Sequence, residues 1–405
     1  IRHSARRQLA YLLVNLFAAA AFAGAPAGAV CVPPAFSIGP AMPAGAYVGE
    51  LFRADFNGDG LLDLAAHGNA LGTATLFVFF GLGGGTFGPP VAVTVPATWI
   101  RPVAGDFDGD GDVDLAAIAG EFASTEIVVL ANDGVGGFGQ QITTPLPYRR
   151  INGAADFNGD GTSDLLIGCS HEIHCTPGVA KVMLGSIAGT FSDAPAGTLP
   201  LSDTAVPLIA DFDGDADQDL IAGQLDNSFA LYRGDGTGGF ASPETVLAPL
   251  PTGAAHGVAA AGDFDGDGDM DLLLGRGIGA PGWGPGLGDG TGAFSIGFFT
   301  YPERHFGVGA EMVDVDGDGL ADAVLHTASS DNLQAISVFP SAGKAAFCGP
   351  ANFDLAWKTI HPNSFVTGDF TGDGRTDIVV AADDELHLLT NEGQGGSELS
   401  FNFQV

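Results

Sequence analysis

The chain has 405 residues, 63 of them glycine; 46% are hydrophobic, and 48 acidic side chains against 14 basic ones leave a formal net charge of −34. So acidic a chain excludes a nucleic-acid partner, which needs a basic footprint, and so apolar a composition excludes a disordered acidic tail. Single all-β domains routinely exceed two hundred residues, so the length does not require several domains.

The first 29 residues carry Arg2, Arg6 and Arg7 and none of the acids. The apolar run LAYLLVNLFAAAAFAG follows, and Ala27-Gly28-Ala29 offers small residues for cleavage. This pattern predicts a signal peptide over 1–29 and an exported chain over 30–405, secreted, held at the cell surface or periplasmic. The run is short for a membrane span and no later segment supplies one, so an integral membrane protein is not expected.

From Asp55 onward a nine-residue pattern recurs. It reads DFNGDGLLD at 55, DFDGDGDVD at 106, DFNGDGTSD at 156, DFDGDADQD at 211, DFDGDGDMD at 263, DVDGDGLAD at 314 and DFTGDGRTD at 369. The starts are 51, 50, 55, 52, 51 and 55 residues apart, and the seven copies hold 28 of the acids. Two carboxylates about 4 Å apart repel by about 1 kcal/mol in water and about 4 kcal/mol at an effective dielectric near 20. A bound cation reverses that sign. Oxygens at positions 1, 3 and 5, a backbone carbonyl at 7 and a glycine at 6 match the first part of an EF-hand loop, with the acid at 9 replacing the distant glutamate. All-oxygen coordination suits calcium over zinc.

The candidate ligands are Asp55, Asn57, Asp59, Leu61 and Asp63 in the first loop, and Asp106, Asp108, Asp110, Asp112 and Asp114 in the second. The third and fourth supply Asp156, Asn158, Asp160, Thr162, Asp164, Asp211, Asp213, Asp215, Asp217 and Asp219. The last three supply Asp263, Asp265, Asp267, Asp269, Asp271, Asp314, Asp316, Asp318, Leu320, Asp322, Asp369, Thr371, Asp373, Arg375 and Asp377. Up to seven Ca²⁺ are expected. The weakest sites should be the fourth, where Ala216 replaces a glycine that supplies φ > 0, and the seventh, where Thr371 replaces an acid.

A second mark keeps the same beat. Phe87, Phe138, Phe191, Phe240, Phe294, Phe347 and Phe401 each fall about thirty residues after a loop begins, most of them behind a Gly-rich turn such as NDGVGGF. Runs such as DLLLG, TLFVFFG and EIVVLAN read as strands, with no helical period. About four short strands per fifty residues, with radial repetition that leaves few open edges, predict an all-β propeller.

Over residues 36–405 these D-x-D-x-D-G-x-x-D loops resemble the FG-GAP or VCBS repeat family, which also builds the integrin alpha-subunit head. The resemblance implies a seven-bladed β-propeller of four-stranded antiparallel blades, with calcium between strands 1 and 2 of a blade. AFSIG occurs at 35–39 and again at 293–297, and Phe36 precedes Asp55 by 19 residues, as Phe87 precedes Asp106. The N-terminal segment is therefore expected as an extra outer strand beside the last blade. Export favours disulfides: Cys169 and Cys175 bracket a small loop, and Cys31 with Cys348 would fasten the ring closure. Zinc on Cys169, Cys175, His171 and His174 is the alternative, although CSHEIHC lacks the usual ligand spacing.

No G-x-S-x-G elbow or H-E-x-x-H helix is present. GGGTFG at 83–88 lies between strands without a phosphate-binding helix, and Arg233-Gly234-Asp235 lies in a repeat turn, where its arginine reads as incidental. In a propeller the calcium loops and the Gly-rich turns share one face. Trp99, Tyr148, Arg149, Trp283, Arg304 and Trp357 fall on the other, and aromatics with arginine on a rigid scaffold have the composition of a binding surface. The same aromatics could instead pack between blades. The expected function is a calcium-stabilised binding or adhesion module for carbohydrate or a cell-surface protein. A polysaccharide lyase or dehydratase on the same fold, or a purely structural scaffold, are the alternatives.

Overall fold

The computed structural model describes residues 34–44, 47–70, 73–96, 100–120, 125–146, 149–169, 179–195, 198–201, 207–224, 228–247, 256–276, 283–297, 304–329, 334–343, 347–349, 351–354 and 360–394. Each acidic loop joins the first and second strands of a four-stranded antiparallel sheet, and there are seven such sheets. Blade 1 comprises Tyr47–Ala54, Asp63–Ala70, Thr73–Phe79 and Val91–Val93; blade 2 comprises Ile100–Gly105, Asp114–Ala119, Glu126–Ala131 and Gln140–Pro145. Blade 3 is Arg149–Ala155, Asp164–Cys169, Lys181–Leu184 and Ser192–Asp193, and blade 4 is Leu208–Ala210, Asp219–Gly223, Phe229–Tyr232 and Glu244–Leu247. Blade 5 is His256–Gly262, Asp271–Arg276, Trp283–Gly288 and Phe294–Ile296, and blade 6 is Arg304–Val313, Asp322–Ser329, Gln334–Phe339 and Ala351–Asp354.

Blade 7 draws on both ends of the chain. Its first three strands are Ile360–Gly368, Asp377–Ala382 and Glu385–Gln394, and Pro34–Ile38 is its outer strand, with Met42–Pro43 also paired to Glu385–Gln394. The register explains the repeated AFSIG. Phe36 lies opposite Asn391 as Phe294 lies opposite Gly288. The N-terminal strand thus supplies the aromatic that the beat assigned to Phe401, which lies outside the described residues. Inner strands Tyr47–Ala54 and Ile360–Gly368 pack side by side and close the ring.

The core is a set of layers between blades. Side chains alternate across a strand, so each second strand feeds two layers: Leu165 and Ile167 pack with blade 2, and Leu166 with blade 4. Leu272 and Leu274 likewise face blade 4, and Leu273 faces blade 6. Burial on both faces is why these strands read as unbroken apolar runs. Seven such clusters, one per seam, run round the ring.

At six seams the phenylalanine at loop position 2 meets the phenylalanine behind the next blade's Gly-rich turn. The pairs are Phe56–Phe138, Phe107–Phe191, Phe157–Phe240, Phe212–Phe294, Phe264–Phe347 and Phe370–Phe87, with ring centroids 5.3 to 6.1 Å apart. At the seventh seam Val315 and Phe36 share a cluster, and Phe36 stacks edge-on against Phe353 at 4.9 Å.

Candidate metal centre

The loops fold around their own acids. Asp263 accepts the N–H groups of Gly266 at 2.7 Å and Gly268 at 3.0 Å, and Asp267 accepts that of Asp269 at 3.0 Å. Such turns need φ > 0 at loop positions 4 and 6, and glycines fill them everywhere except at Ala216. Ala216 adopts φ 75° and still donates its N–H to Asp211 at 2.9 Å, so the fourth loop keeps its shape. The substitution costs strain, not geometry.

The aspartate at position 9 is fully buried in all seven loops. One oxygen accepts the N–H of loop position 2, as Asp271 does from Phe264 at 3.0 Å. The other accepts an N–H just beyond or at the end of the third strand: Gly81, Asn132, Gly185, Gly234, Gly288, Ser341 or Asn391, at 2.6 to 2.8 Å. This carboxylate therefore ties the loop to the third strand, a role its position in the motif did not reveal. Burial pushes Asp114, Asp164 and Asp271 up to about 6 and Asp322 up to about 7, although two N–H bonds pull each the other way.

Positions 1, 3 and 9 converge where position 3 is aspartate. In Asp106–Asp108–Asp114, Asp211–Asp213–Asp219, Asp263–Asp265–Asp271 and Asp314–Asp316–Asp322, one oxygen from each residue lies within 4.8 Å of the others. Asp108 Oδ1, Asp213 Oδ1 and Asp265 Oδ1 are buried without a hydrogen-bond partner. A buried, unpaired carboxylate oxygen is costly unless a cation meets it. Three convergent hard oxygens, the one at position 3 without a partner in loops 2, 4 and 5, fit a divalent cation such as calcium. Burial, then the neighbouring acids, raises the pKa of Asp108, Asp265 and Asp316, as expected for groups that lack a counter-charge.

The other three loops carry Asn57, Asn158 and Thr371 at position 3. Asn158 Nδ2 donates to Asp160 at 2.9 Å, and the Thr371 hydroxyl to Asp369 at 3.3 Å. The two loops expected to be weakest thus part company: the fourth brings three carboxylates together, whereas the seventh has two and a hydroxyl.

Loops 1, 2, 5 and 6 are also hydrogen-bonded to the next blade. The Asp106 carbonyl accepts the Ser163 N–H at 2.6 Å, that of Asp263 the Ala321 N–H at 2.8 Å, and that of Asp314 the Thr376 hydroxyl at 2.8 Å. The carbonyls of Phe56, Phe264 and Val315 accept from the side chains of Asn132, Ser341 and Asn391 at 3.0, 2.6 and 2.7 Å. The clue to these three residues was in the sequence. They stand where the equivalent turns of blades 1, 3, 4 and 5 begin with glycine.

The Arg-Gly-Asp turn is engaged internally. Arg233 pairs with Asp213 and donates to the Thr291 carbonyl of blade 5 at 2.6 Å. Asp235 accepts the Thr237 N–H and hydroxyl at 2.9 and 2.7 Å. The arginine therefore has a structural role.

On the opposite face, Arg149, Trp283 and Arg304 each begin a strand that runs toward the loops, which puts their backbone on the side away from the acids. Trp99, Tyr148 and Trp357 lie outside the described residues, as do Cys31 and Cys175. Cys169 ends the second strand of blade 3, and Cys348 is buried.

Comparison with known proteins agrees with this geometry. An FG-GAP-like repeat model matches residues 55–117, 156–222 and 211–274, and an FG-GAP repeat model matches 361–397. The chain belongs to the FG-GAP repeat family. Its seven blades with loops between strands 1 and 2 make it an integrin-alpha-like propeller. No curated protein sequence matches this FG-GAP chain. Among solved structures, BBS1N in complex with ARL6DN, soaked with mercury, superposes with a TM-score of 0.57 at 13% identity, covering 89% of this chain and 98% of that one. A lead-soaked crystal of the same complex gives 0.54 at 12% identity, covering 92% and 100%. Likeness at that identity shows the propeller fold alone.

Proposed function

We propose that this FG-GAP propeller is an exported, calcium-stabilised binding module whose ligand, a carbohydrate or a cell-surface protein, docks on the face away from the loops. The observation that carries the calcium part is the set of buried, unpartnered oxygens on Asp108, Asp213 and Asp265, each beside a fully buried aspartate and the acid that opens its loop. Calcium would supply the positive charge that Asp108 and Asp265 lack and would meet the Asp213 oxygen that Arg233 leaves unpaired. The chain's own residues do the rest: the position-9 aspartates lock loop to third strand, and the loop carbonyls lock blade to blade. Calcium is structural in this reading, with Asn57 and Asn158 able to offer amide oxygens in loops 1 and 3.

The ligand face is supported by the backbone of Arg149, Trp283 and Arg304. Export is supported by the leader-like first 29 residues, and the ring closure would be fastened by a Cys31–Cys348 disulfide. Among the described residues no helix is long and apolar enough to cross a membrane. The test is binding of the mature chain to a broad glycan array in calcium and in EDTA. A saturable signal that W283A weakens supports a lectin-like module. Silence on the array, with no cell-surface protein captured, overturns the binding role.

A further inference from the structure

The seventh loop satisfies its own acids. Asp369 accepts the N–H groups of Gly372, Asp373 and Gly374 at 2.6, 3.0 and 2.8 Å and the Thr371 hydroxyl at 3.3 Å. Asp377 accepts those of Phe370, Thr371 and Asn391 at 3.1, 3.0 and 2.8 Å. The remaining acid, Asp373, meets Arg375 Nη1 at 2.8 Å. The same nitrogen reaches the Asn391 carbonyl at 3.3 Å, which carries the guanidinium across to the end of the third strand. No buried oxygen of this loop lacks a partner, unlike loops 2, 4 and 5.

Arg375 is the only basic residue at position 7 of any loop; the others are Leu61, Asp112, Thr162, Asp217, Asp269 and Leu320. Building on the calcium reading of the other loops, we infer that the Arg375 guanidinium is the resident cation of the seventh loop, which therefore holds its shape without calcium. With three aspartates and one arginine the loop is left with two negative charges, against five aspartates in loops 2 and 5. A divalent ion placed there would lose a third carboxylate to Thr371 and be repelled by a neighbouring positive charge. The consequence falls on the blade assembled from both chain ends. The blade that closes the ring needs no metal at its loop.

Arg233 is the partial case. It holds one oxygen of Asp213 but leaves Oδ1 without a partner, so the fourth loop keeps a place for metal beside an extra positive charge. Its affinity is accordingly lower than that of loops 2 and 5, and R233A tightens it about tenfold.

The test counts calcium bound to the full mature chain by equilibrium dialysis with elemental analysis, checking each variant's fold by circular dichroism. D373N leaves the count unchanged, while the equivalent substitution in the fifth loop, D267N, lowers it by one or weakens one site at least tenfold. The double variant T371D/R375A restores the three-carboxylate set without the guanidinium and gains one ion. Loss of an ion in D373N, or no gain in a folded T371D/R375A, overturns the assignment of Arg375. A wild-type chain that binds no calcium, or a D267N variant indistinguishable from wild type, instead overturns the calcium reading on which it rests.

Discussion

Replacing Asp271 by asparagine separates two roles of one carboxylate, hydrogen-bond acceptor and metal ligand. The side chain is fully buried and accepts N–H groups from Phe264 at 3.0 Å and Gly288 at 2.8 Å. Burial pushes it up to about 6 from 3.8. At pH 7.5, without metal, a shift of that size sets about 3 kcal/mol against the fold. Asparagine removes that charge but turns an NH₂ toward one of the two donors, which costs about 1–3 kcal/mol. The two effects nearly cancel, so D271N in EDTA should lie within about 2 kcal/mol of wild type. Calcium changes the comparison. Wild type gains about 1.4 kcal/mol at ten times Kd and about as much again for each further tenfold rise, whereas the variant's fifth loop gains almost nothing. Urea unfolding at pH 7.5 across a series of free calcium concentrations reads this directly. A gap between wild type and D271N that does not widen with calcium refutes the metal role and leaves Asp271 as a purely internal acceptor.

Chelation should be felt by the whole domain. Four three-carboxylate sites at ten times Kd contribute about 6 kcal/mol together, so EDTA should lower Tm by many degrees, and an unchanged melt removes structural calcium. In EDTA, stability should fall as pH rises from about 4 to 7. Asp114, Asp164, Asp271 and Asp322 titrate at about 6 to 7 in the folded chain, so the folded state holds more protons than the unfolded over that window. Saturating calcium should abolish that fall, which calorimetry at pH 4.5 and 7.5 would check. A216G should stabilise by about 1 kcal/mol, because the residue already sits at φ 75°; denaturant midpoints measure it. F264A should cost about 3–5 kcal/mol. A double cycle with F347A should show coupling of about 0.5–1.5 kcal/mol across the seam between blades 5 and 6.

The blade count, the strand runs and the outer strand at the chain's start were legible because each is written in local periodicity. DLLLG shows two-faced burial in five residues, and AFSIG at 35–39 repeats the sequence at 293–297 that contains blade 5's outer strand. What lay beyond reach joins residues far apart in the chain. Phe56 and Phe138 both carry the repeat's beat, yet nothing local says that they meet across a seam instead of within a blade. Asn132, Ser341 and Asn391 stand out in the sequence as replacements for a turn glycine, but their acceptors emerge only when the neighbouring carbonyls are placed. Arg233 read as an accident of the tripeptide because its partner, Asp213, lies in a loop twenty residues earlier. In the fourth loop Ala216 signalled a defect, but a single αL alanine is a modest strain that five N–H and carboxylate contacts around it readily hold.

The placement of the acids would make a bound calcium a stabiliser of seams as much as of loops. The carboxylates at positions 1, 3 and 9 share a peptide framework whose carbonyls, on Asp106, Asp263 and Asp314, accept from the next blade's loop. A cation that fixes one loop therefore fixes the acceptor on which its neighbour hangs. The same position-9 aspartate that would ligate the ion holds the first residue of the turn, and at Asn132, Ser341 and Asn391 that residue also reaches back to the previous blade. Loss of metal should consequently loosen blade-to-blade contact before it melts any single sheet, since the strands keep their own ladders. The closure between blades 7 and 1 has the same apolar cluster, phenylalanine pair and backbone bonds as other seams, from the N–H groups of Gly84 and Gly85 to the Thr371 and Phe370 carbonyls at 2.9 and 3.2 Å. Arg53 adds to these, bonding the Thr367 hydroxyl at 2.8 Å and Glu311 at 2.9 Å and so linking blades 1, 7 and 6. With Arg375 beside the seventh loop's acids and Arg53 at the seam, the blade assembled from both ends of the chain is met by the chain's own cations.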